Sequence, residues 1–256
     1  MTPAEEAASS TAACSPVPRL LVLAPLRIEE LALRPGGRLG PAMLDIQHIG
    51  MGLAKASVAA RRLSGAARAD AVAVVGVGGA LAGNLEPGDL VVAELLIDTA
   101  GHEVSRPTSA PLLATELRRL GLRARPGSIV SADHIVSGGE REVLSALGAD
   151  VVDMESTAVA GAAWEAPLAI VRAISDTPGQ ELFSPGGVAG ALTELRTLRA
   201  SRRALANWAA AATSAANARS HTSSYNKAAT FSAPPTSPGR RAPDDLVRSP
   251  LPLEAR

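Results

Sequence analysis

Cysteine, aromatic residues and net charge are all scarce in this chain of 256 residues. Its one cysteine, Cys14, cannot by itself form an internal disulfide, a four-thiolate zinc site or an iron–sulfur site. Aromatic residues make up 2% of the chain, which argues against a surface that stacks nucleic-acid bases. Lys plus Arg and Asp plus Glu are 25 each, so a strongly basic nucleic-acid footprint is absent. We therefore expect no metal, no cofactor and no nucleic-acid partner.

Long hydrophobic runs are also missing. The longest, "AVAVVGVGGALAG" at 71–83, is interrupted by glycines and is too short to cross a bilayer. The first residues, "MTPAEEAASSTAAC", are acidic where an export signal is positively charged. The sequence therefore predicts a cytoplasmic protein without a membrane span.

Apolar runs of strand length alternate with segments of helical spacing along most of the chain. Strands are predicted within 19–26, 43–52, 70–81, 88–98, 127–138, 150–155 and 167–176, and helices at 28–34, 53–65, 110–122, 140–148, 156–166 and 191–212. Near-continuous Val, Ile and Leu runs are typical of strands buried on both faces. The pattern predicts an α/β fold, in which helices flank a mixed, mainly parallel central sheet.

The two ends of the chain have a different composition. Residues 1–17 consist largely of Ala, Ser, Thr and Pro, and residues 213–256 are rich in Ser and Pro without periodicity. Such segments bury little apolar surface. We expect a disordered lead and a disordered tail on either side of one domain at 18–212.

The glycine-rich segment "VVGVGGALAG" has Gly76 and Gly78 in a G-x-G arrangement. A dinucleotide-binding loop needs a helix directly after it, but "NLEPGDLVV" follows here, a Pro/Gly turn and another strand. We predict a glycine turn at the strand end. It either brings backbone N–H groups to a ligand or serves only tight packing, and the residues leave both open.

Acidic residues stand where two predicted strands end. In "VVDMESTAVA", Asp153 and Glu155 mark the change from strand to helix, and a cap or helix-dipole role for Asp153 is favoured over substrate contact. Asp176 ends "AIVRAISD" ahead of Thr177-Pro178. By itself it fits either a helix cap or a buried general acid.

Four segments taken in order resemble the superfamily of nucleoside phosphorylases and methylthioadenosine/adenosylhomocysteine nucleosidases. They are "GVGGALAGNLEPGDLVVA", "SADHIVSGG", "VVDMESTAVA" and "VRAISDTPGQ". The similarity runs from Leu20 to Trp208, and "DMES" is most similar to the branch called hopanoid-associated phosphorylase. The resemblance implies cleavage of the N-glycosidic bond of a purine (adenine) nucleoside, with adenosyl-hopane as a candidate substrate, and assembly as a homo-oligomer.

The resemblance also implies roles for the acidic residues. Glu155 would hold the ribose 2′- and 3′-hydroxyls through its two oxygens, with Met154 against the sugar. Asp176 would deliver a proton to N7 of the leaving base. Glu29, a better match than Glu30, would activate the attacking water.

Further substrate contacts are implied by the same resemblance. Val77, Gly78 and Gly79 would line the substrate site, and Val77 stands where the small-substrate nucleosidases have a serine. Ile135 and Val136 would form the base pocket, with Ile135 at a position that is usually aromatic in the family.

The acceptor stays open between water and phosphate. Arg27 matches a phosphate-binding arginine of phosphorylases, but no second arginine precedes the glycine segment, so hydrolysis is slightly favoured. The alternative function is a non-catalytic nucleoside-binding or accessory domain of an isoprenoid or hopanoid pathway. Its motivation is Val77 together with the missing arginine.

Overall fold

The structure, a computed structural model, describes residues 16–66, 68–178 and 187–230, with side chains from 193 to 219 in the last range. Its strands are β1 (Arg19–Ala24), β2 (Gly37–Leu39), β3 (Ala42–His48), β4 (Ala71–Ala80), β5 (Leu90–Ile97), β6 (Glu103–Ser105), β7 (Ala124–Ser131), β8 (Val151–Asp153) and β9 (Leu168–Asp176). Its helices are α1 (Arg27–Leu33), α2 (Leu53–Ala66), α3 (Ala110–Arg119), α4 (Gly139–Ala146), α5 (Ser156–Ala160) and α6 (Gly187–Thr230).

The strands of the described residues form one sheet in the order β2-β3-β1-β4-β8-β7-β5-β6, and β9 pairs with both β4 and β5. Strands β4, β8, β7, β5 and β9 thereby close into a ring. Five pairs are parallel, namely β1–β3, β1–β4, β4–β9, β5–β7 and β7–β8, and the others are antiparallel. The predicted α/β fold with a mixed, mainly parallel sheet is confirmed.

The sheet buries both of its faces. Leu20 and Leu21 are successive residues of β1 and point to opposite faces. Leu20 belongs to a cluster that includes Trp208 of α6, and Leu21 belongs to a second cluster that includes Val159 of α5. Because apolar side chains are needed on both faces, these strands have near-continuous Val, Leu and Ala rather than an alternating pattern.

The glycine segment differs from the predicted turn. Gly76, Gly78 and Gly79 lie within β4, which continues to Ala80. Gly76 is the partner of Arg172 across the parallel β4–β9 ladder, and a Cβ on Gly76 would lie 2.5 Å from Nη1 of Arg172. Gly76 therefore makes room for a buried guanidinium inside a sheet, a need that sequence spacing does not reveal.

Two helices differ in length from the prediction. Helix α5 ends at Ala160, well short of the predicted 166, with Gly161 as its C-cap and the Trp164 indole N–H donating to the Val159 carbonyl. Helix α6 extends to Thr230, beyond the predicted end at 212. The chain divides into two units, Met1–Ala218 and Arg219–Arg256. Residues 1–15 and 231–256 of the predicted lead and tail lie outside the described residues.

Candidate active site

Every predicted site residue except Arg27 lines one cavity, next to the carboxyl ends of β1, β4 and β9. The lining includes Glu29, Val77, Gly78, Gly79, Ile135, Val136, Met154, Glu155 and Asp176. Arg27 is the first residue of α1. It is exposed and does not line the cavity. Parallel strands bring their carboxyl ends to one edge of the sheet, so residues distant in sequence meet there.

Glu29 is buried and held by two backbone N–H groups. Its Oε2 accepts from Leu26 N–H at 2.7 Å, which caps the start of α1, and its Oε1 accepts from Val77 N–H at 2.8 Å. Burial raises the pKa of Glu29 to about 7, against the opposing effect of the positive charge of Arg172. A carboxyl that titrates near neutral pH is suited to take a proton from water. Its neighbour Glu30 instead pairs with Arg34 at the surface.

Glu155 also lines the cavity. Its Oε1 accepts from Gly52 N–H at 2.8 Å, in the loop before α2, and its Oε2 lies 3.4 Å from Nη2 of Arg172. Burial raises the pKa of Glu155, and Arg172 opposes this shift. A carboxylate has about four acceptor positions. Both oxygens of Glu155 can therefore accept further hydrogen bonds from a ligand.

Arg172 connects these acids and has no exposed surface. Its Nε donates to Asp153 Oδ2 at 2.6 Å, and its Nη2 donates to Ser156 Oγ at 3.1 Å. Burial works to lower the pKa of Arg172, but Asp153, Glu155 and Glu29 together raise it above its ordinary value. Nη1 is buried and has no hydrogen-bond partner among the described residues. Arg172 is therefore the charged centre that compensates three buried carboxyls.

Asp153 lies at the start of α5, whose N-cap residue is Glu155 rather than Asp153. Its Oδ1 accepts from the backbone N–H groups of Glu155 and Ser156, both at 3.3 Å, and from Ser131 Oγ at 2.5 Å. Its ion pair with Arg172 adds a contact that the sequence did not indicate. Asp153 thereby positions Glu155 and the guanidinium together.

Asp176 lies at another part of the same cavity, beside a second buried arginine. Its Oδ2 accepts from Nη2 of Arg141, and its Oδ1 accepts from Ser175 Oγ at 2.6 Å. Arg141 also donates from Nη1 to the Ala80 carbonyl at 3.1 Å and from Nε to the Val136 carbonyl at 3.3 Å. The guanidinium is thus fixed between β4, β9 and the loop after β7.

The loop after β7 contributes apolar and titratable groups to the cavity. Val136 is buried, whereas Ile135 is 52% exposed, so an apolar side chain stands at the opening. His134 contacts Asp133 at 2.6 Å and Glu140 at 3.0 Å. Its hydrogen bond to Asp133, with a further one to Glu140, raises the pKa of His134. These contacts connect the loop to α4.

Arg141, Arg172 and Ser175 are site residues that sequence reasoning missed. Arg172 had a signal, since it is the only charged residue between Ala166 and Asp176 in an otherwise apolar strand. Arg141 had no such signal, because "GGEREVL" reads as an ordinary solvated helix start.

Glu194 of α6 is another buried carboxyl. Its burial, and to a lesser extent the charge of Asp176, raises its pKa to about 7.

The described residues lack both a metal-binding cluster and a membrane-spanning helix. They contain no group of three or more His, Cys, Asp or Glu side chains that could hold a metal ion. No helix of the described part is long and apolar enough to cross a membrane.

Comparison with known proteins gives concordant matches. The family model described as the phosphorylase superfamily matches residues 37–213. A 5′-methylthioadenosine/S-adenosylhomocysteine nucleosidase from Haemophilus ducreyi is 26% identical over 162 residues, which cover 55% of this chain and 70% of that protein.

Solved structures share the fold at lower identity. A 5′-methylthioadenosine/S-adenosylhomocysteine nucleosidase from Campylobacter jejuni has a TM-score of 0.62 and 19% identity, covering 75% of this chain and 98% of its own. Futalosine hydrolase of Helicobacter pylori also has a TM-score of 0.62, with 20% identity and coverage of 75% and 99%. At this identity, the likeness shows the fold alone.

Proposed function

Since this chain belongs to the phosphorylase superfamily, we propose that it cleaves the N-glycosidic bond of a purine nucleoside. The observation that carries the proposal is the meeting of Glu29, Glu155 and Asp176 in one cavity. A base, a sugar-binding carboxylate and a polar group for the leaving base are the parts that this reaction requires. The Haemophilus ducreyi relative, a nucleosidase by name, supports the same reaction class.

Glu155 is the residue we assign to the ribose. The Gly52 amide and Arg172 fix its carboxylate, which leaves acceptor positions directed at the cavity. A cis-diol offers two O–H donors, so the 2′- and 3′-hydroxyls bind one carboxylate in a bidentate manner. This contact orients the sugar and stabilises positive charge that develops on it.

Glu29 is the residue we assign to the attacking water. It contacts the Val77 amide, whereas Asp176 lies against Gly79, two residues further along β4. Two strand residues span roughly 7 Å, which separates the group that activates water from the end that receives the base. Water adds to the sugar as the base departs, as in glycoside hydrolysis.

Water is the acceptor that the charges of the cavity favour. Of the arginines that line or support it in the described residues, Arg141 is paired with Asp176, and Arg172 is surrounded by carboxyls. Arg27, the predicted phosphate ligand, is exposed and outside the lining. A phosphate dianion needs a cationic clamp, so this arrangement supports hydrolysis over phosphorolysis.

For the 5′ substituent, we propose an apolar group, with adenosyl-hopane as the first candidate. The motif "DMES" resembles the hopanoid-associated branch, and Met51 and Ile135 line the cavity with 47% and 52% of their surface exposed. Exposed apolar side chains at a cavity suit an apolar extension of the ligand. Homo-oligomeric assembly and cytoplasmic location stay predictions.

The test measures release of free base by the purified full-length protein. Adenosine, inosine, methylthioadenosine and an adenosyl-hopane are each incubated with and without phosphate, and free base is followed by chromatography. Glu155→Gln and Asp176→Asn are the site variants. Glu103→Gln, which changes an exposed carboxylate of β6, is the matched control.

We expect release that the two site variants abolish, that the control retains and that phosphate does not accelerate. Release that requires phosphate would replace hydrolysis by phosphorolysis. Release from the lipid nucleoside alone would assign the enzyme to hopanoid chemistry. Binding without release from any substrate would overturn the proposal in favour of a non-catalytic nucleoside-binding domain.

A further inference from the structure

Arg141 is a buried arginine whose place in the cavity invites a chemical role. Its side chain is 8% exposed, yet it lines the same cavity as Glu29 and Glu155. Backbone carbonyls of Ala80 and Val136 hold its Nη1 and Nε. A long flexible side chain fixed in this way is pre-organised and loses little freedom when a ligand binds.

Asp176 accepts hydrogen bonds through both oxygens in this arrangement. Arg141 donates to Oδ2, and Ser175 Oγ donates to Oδ1 at 2.6 Å. A guanidinium has only donors, so the contact with Arg141 uses Asp176 as an acceptor. Arg141 is therefore the side chain that offers N–H donors to a ligand in the part of the cavity that we assign to the purine base.

The guanidinium retains donors that face the cavity. Within the described part of the chain, its bonds to Ala80, Val136 and Asp176 use three of its five N–H groups. Nη2 lies 3.1 Å from the position that a Cβ on Gly79 would occupy. Because Gly79 has no side chain, nothing at that residue covers the guanidinium from the cavity side.

The exposed edge of an adenine ring matches this pair of groups. N7 is an acceptor and the neighbouring 6-amino group is a donor. We propose that Arg141 donates a hydrogen bond to N7 of the leaving purine, while Asp176 orients the guanidinium and accepts from the 6-amino group. This inference rests on the proposed function and names the residue that assists departure of the base.

The proposed reaction consumes one water and releases the free base and the free sugar. The bond between C1′ and N9 breaks, and its electron pair leaves with the base. The hydrogen bond from Arg141 to N7 stabilises the negative charge that develops on the purine. Glu29 takes a proton from the water that adds to C1′, and that proton returns to the base on release. No additional reactant is required.

The first experiment compares two leaving groups in the full-length protein. Adenosine needs assistance at its base, whereas 4-nitrophenyl riboside releases a stable phenolate without it. We expect Arg141→Met to lower kcat on adenosine by at least about 100-fold and to leave 4-nitrophenyl riboside nearly unaffected. Arg125→Met, which breaks an Arg–Asp pair with Asp150 outside the cavity, is the matched control and is expected to change neither rate.

A second experiment measures binding of adenine and 7-deazaadenine by calorimetry and does not depend on turnover. The wild type is expected to prefer adenine by about tenfold or more, because 7-deazaadenine has no acceptor at that position. Arg141→Met is expected to lose that preference. The wild-type comparison requires no variant, so it holds even where the substitution prevents folding.

Several outcomes would overturn the inference. They are an equal loss on both ribosides, no loss on adenosine, or equal binding of the two bases by the wild type. A wild type that cleaves neither riboside and releases no base from the adenosyl-hopane would contradict the proposed function as well. A wild type that cleaves both, with equal losses in Arg141→Met, would refute only the role of Arg141.

Discussion

Two buried arginines, Arg141 in the cavity lining and Arg172 outside it, are held in different ways. Arg172 lies in the middle of β9 with no exposed surface, and its partners are the side chains of Asp153, Glu155 and Ser156. Arg141 lies on the short helix α4, and two of its contacts are backbone carbonyls. Arg172 is thus surrounded by acids that it neutralises, whereas Arg141 is fixed by neutral groups and pairs with a single acid.

The different partners of the two arginines indicate different roles for the two positive charges. Buried carboxyls are unfavourable unless a positive charge lies close, so Arg172 is required for Asp153, Glu155 and Glu29 to occupy one site. Arg141 satisfies one carboxyl that already has Ser175 as a donor and that lines the cavity. One arginine therefore maintains the acidic side of the cavity, and the other faces the ligand.

The largest effect is expected for substitution of Glu29, the general base among the carboxyls near Arg172. Glu29→Gln should lower kcat by about 1,000-fold, because an amide cannot take a proton from water. The wild-type rate should rise with pH through about 7, since the ionised form of Glu29 is the active one and its pKa is raised to about 7. Steady-state kinetics from pH 5 to 9 would measure both, and an active variant with an unchanged pH profile would contradict the assignment.

The different roles of the two arginines can be tested by the free energy of unfolding of their variants. Arg172→Met should lower the free energy of unfolding by about 3–5 kcal/mol, because it leaves buried carboxyls without compensation. Arg141→Met should cost less, about 1–3 kcal/mol, because Asp176 keeps the Ser175 donor. Urea unfolding of the two variants gives the order directly. Equal losses of unfolding free energy would mean that both arginines stabilise the fold to the same extent.

A substitution at Gly76 tests whether the guanidinium of Arg172 needs the space that this glycine leaves. In Gly76→Ala the new Cβ would lie 2.5 Å from Nη1 of Arg172 and 2.8 Å from Oε1 of Glu29. We expect a stability loss of about 1–3 kcal/mol from overpacking, together with a lower kcat. Gly65→Ala in α2 is the matched control, since nothing lies within 4 Å of its Cβ position. Thermal unfolding that is unchanged in Gly76→Ala would show that the site has more room than the structure indicates.

The smallest effect is expected at Arg27, the arginine that the sequence analysis matched to a phosphate ligand. It is exposed and outside the cavity lining, so Arg27→Ala should leave kcat/KM unchanged with or without phosphate. Parallel assays in phosphate and in a phosphate-free buffer would measure this. A phosphate-dependent loss of rate in the variant would restore the phosphorolysis interpretation.

The sequence predicted the described strands other than β2 and β6, and the acids at strand ends, because both are local properties. An apolar run of strand length needs only its own residues to be recognised, and Asp176 follows such a run directly. The limits of α5 and the position of the glycines within β4 were predicted wrongly. Helix α5 ends with the help of the Trp164 indole, and β4 continues because β9 pairs along it. Both causes are contacts, and composition does not contain them.

The α/β fold, the superfamily and the acidic residues that meet in the cavity could all be inferred from the order of residues along the chain. The pairing of each buried acid with its arginine could not, because it depends on the folded geometry. Arg172 is 17 residues from Glu155, and Arg141 is 35 residues from Asp176. Neither pairing follows from spacing, because strand register and sheet closure bring these side chains together. Ion pairs between distant residues are settled by geometry after folding, whereas burial of apolar runs is encoded in each run.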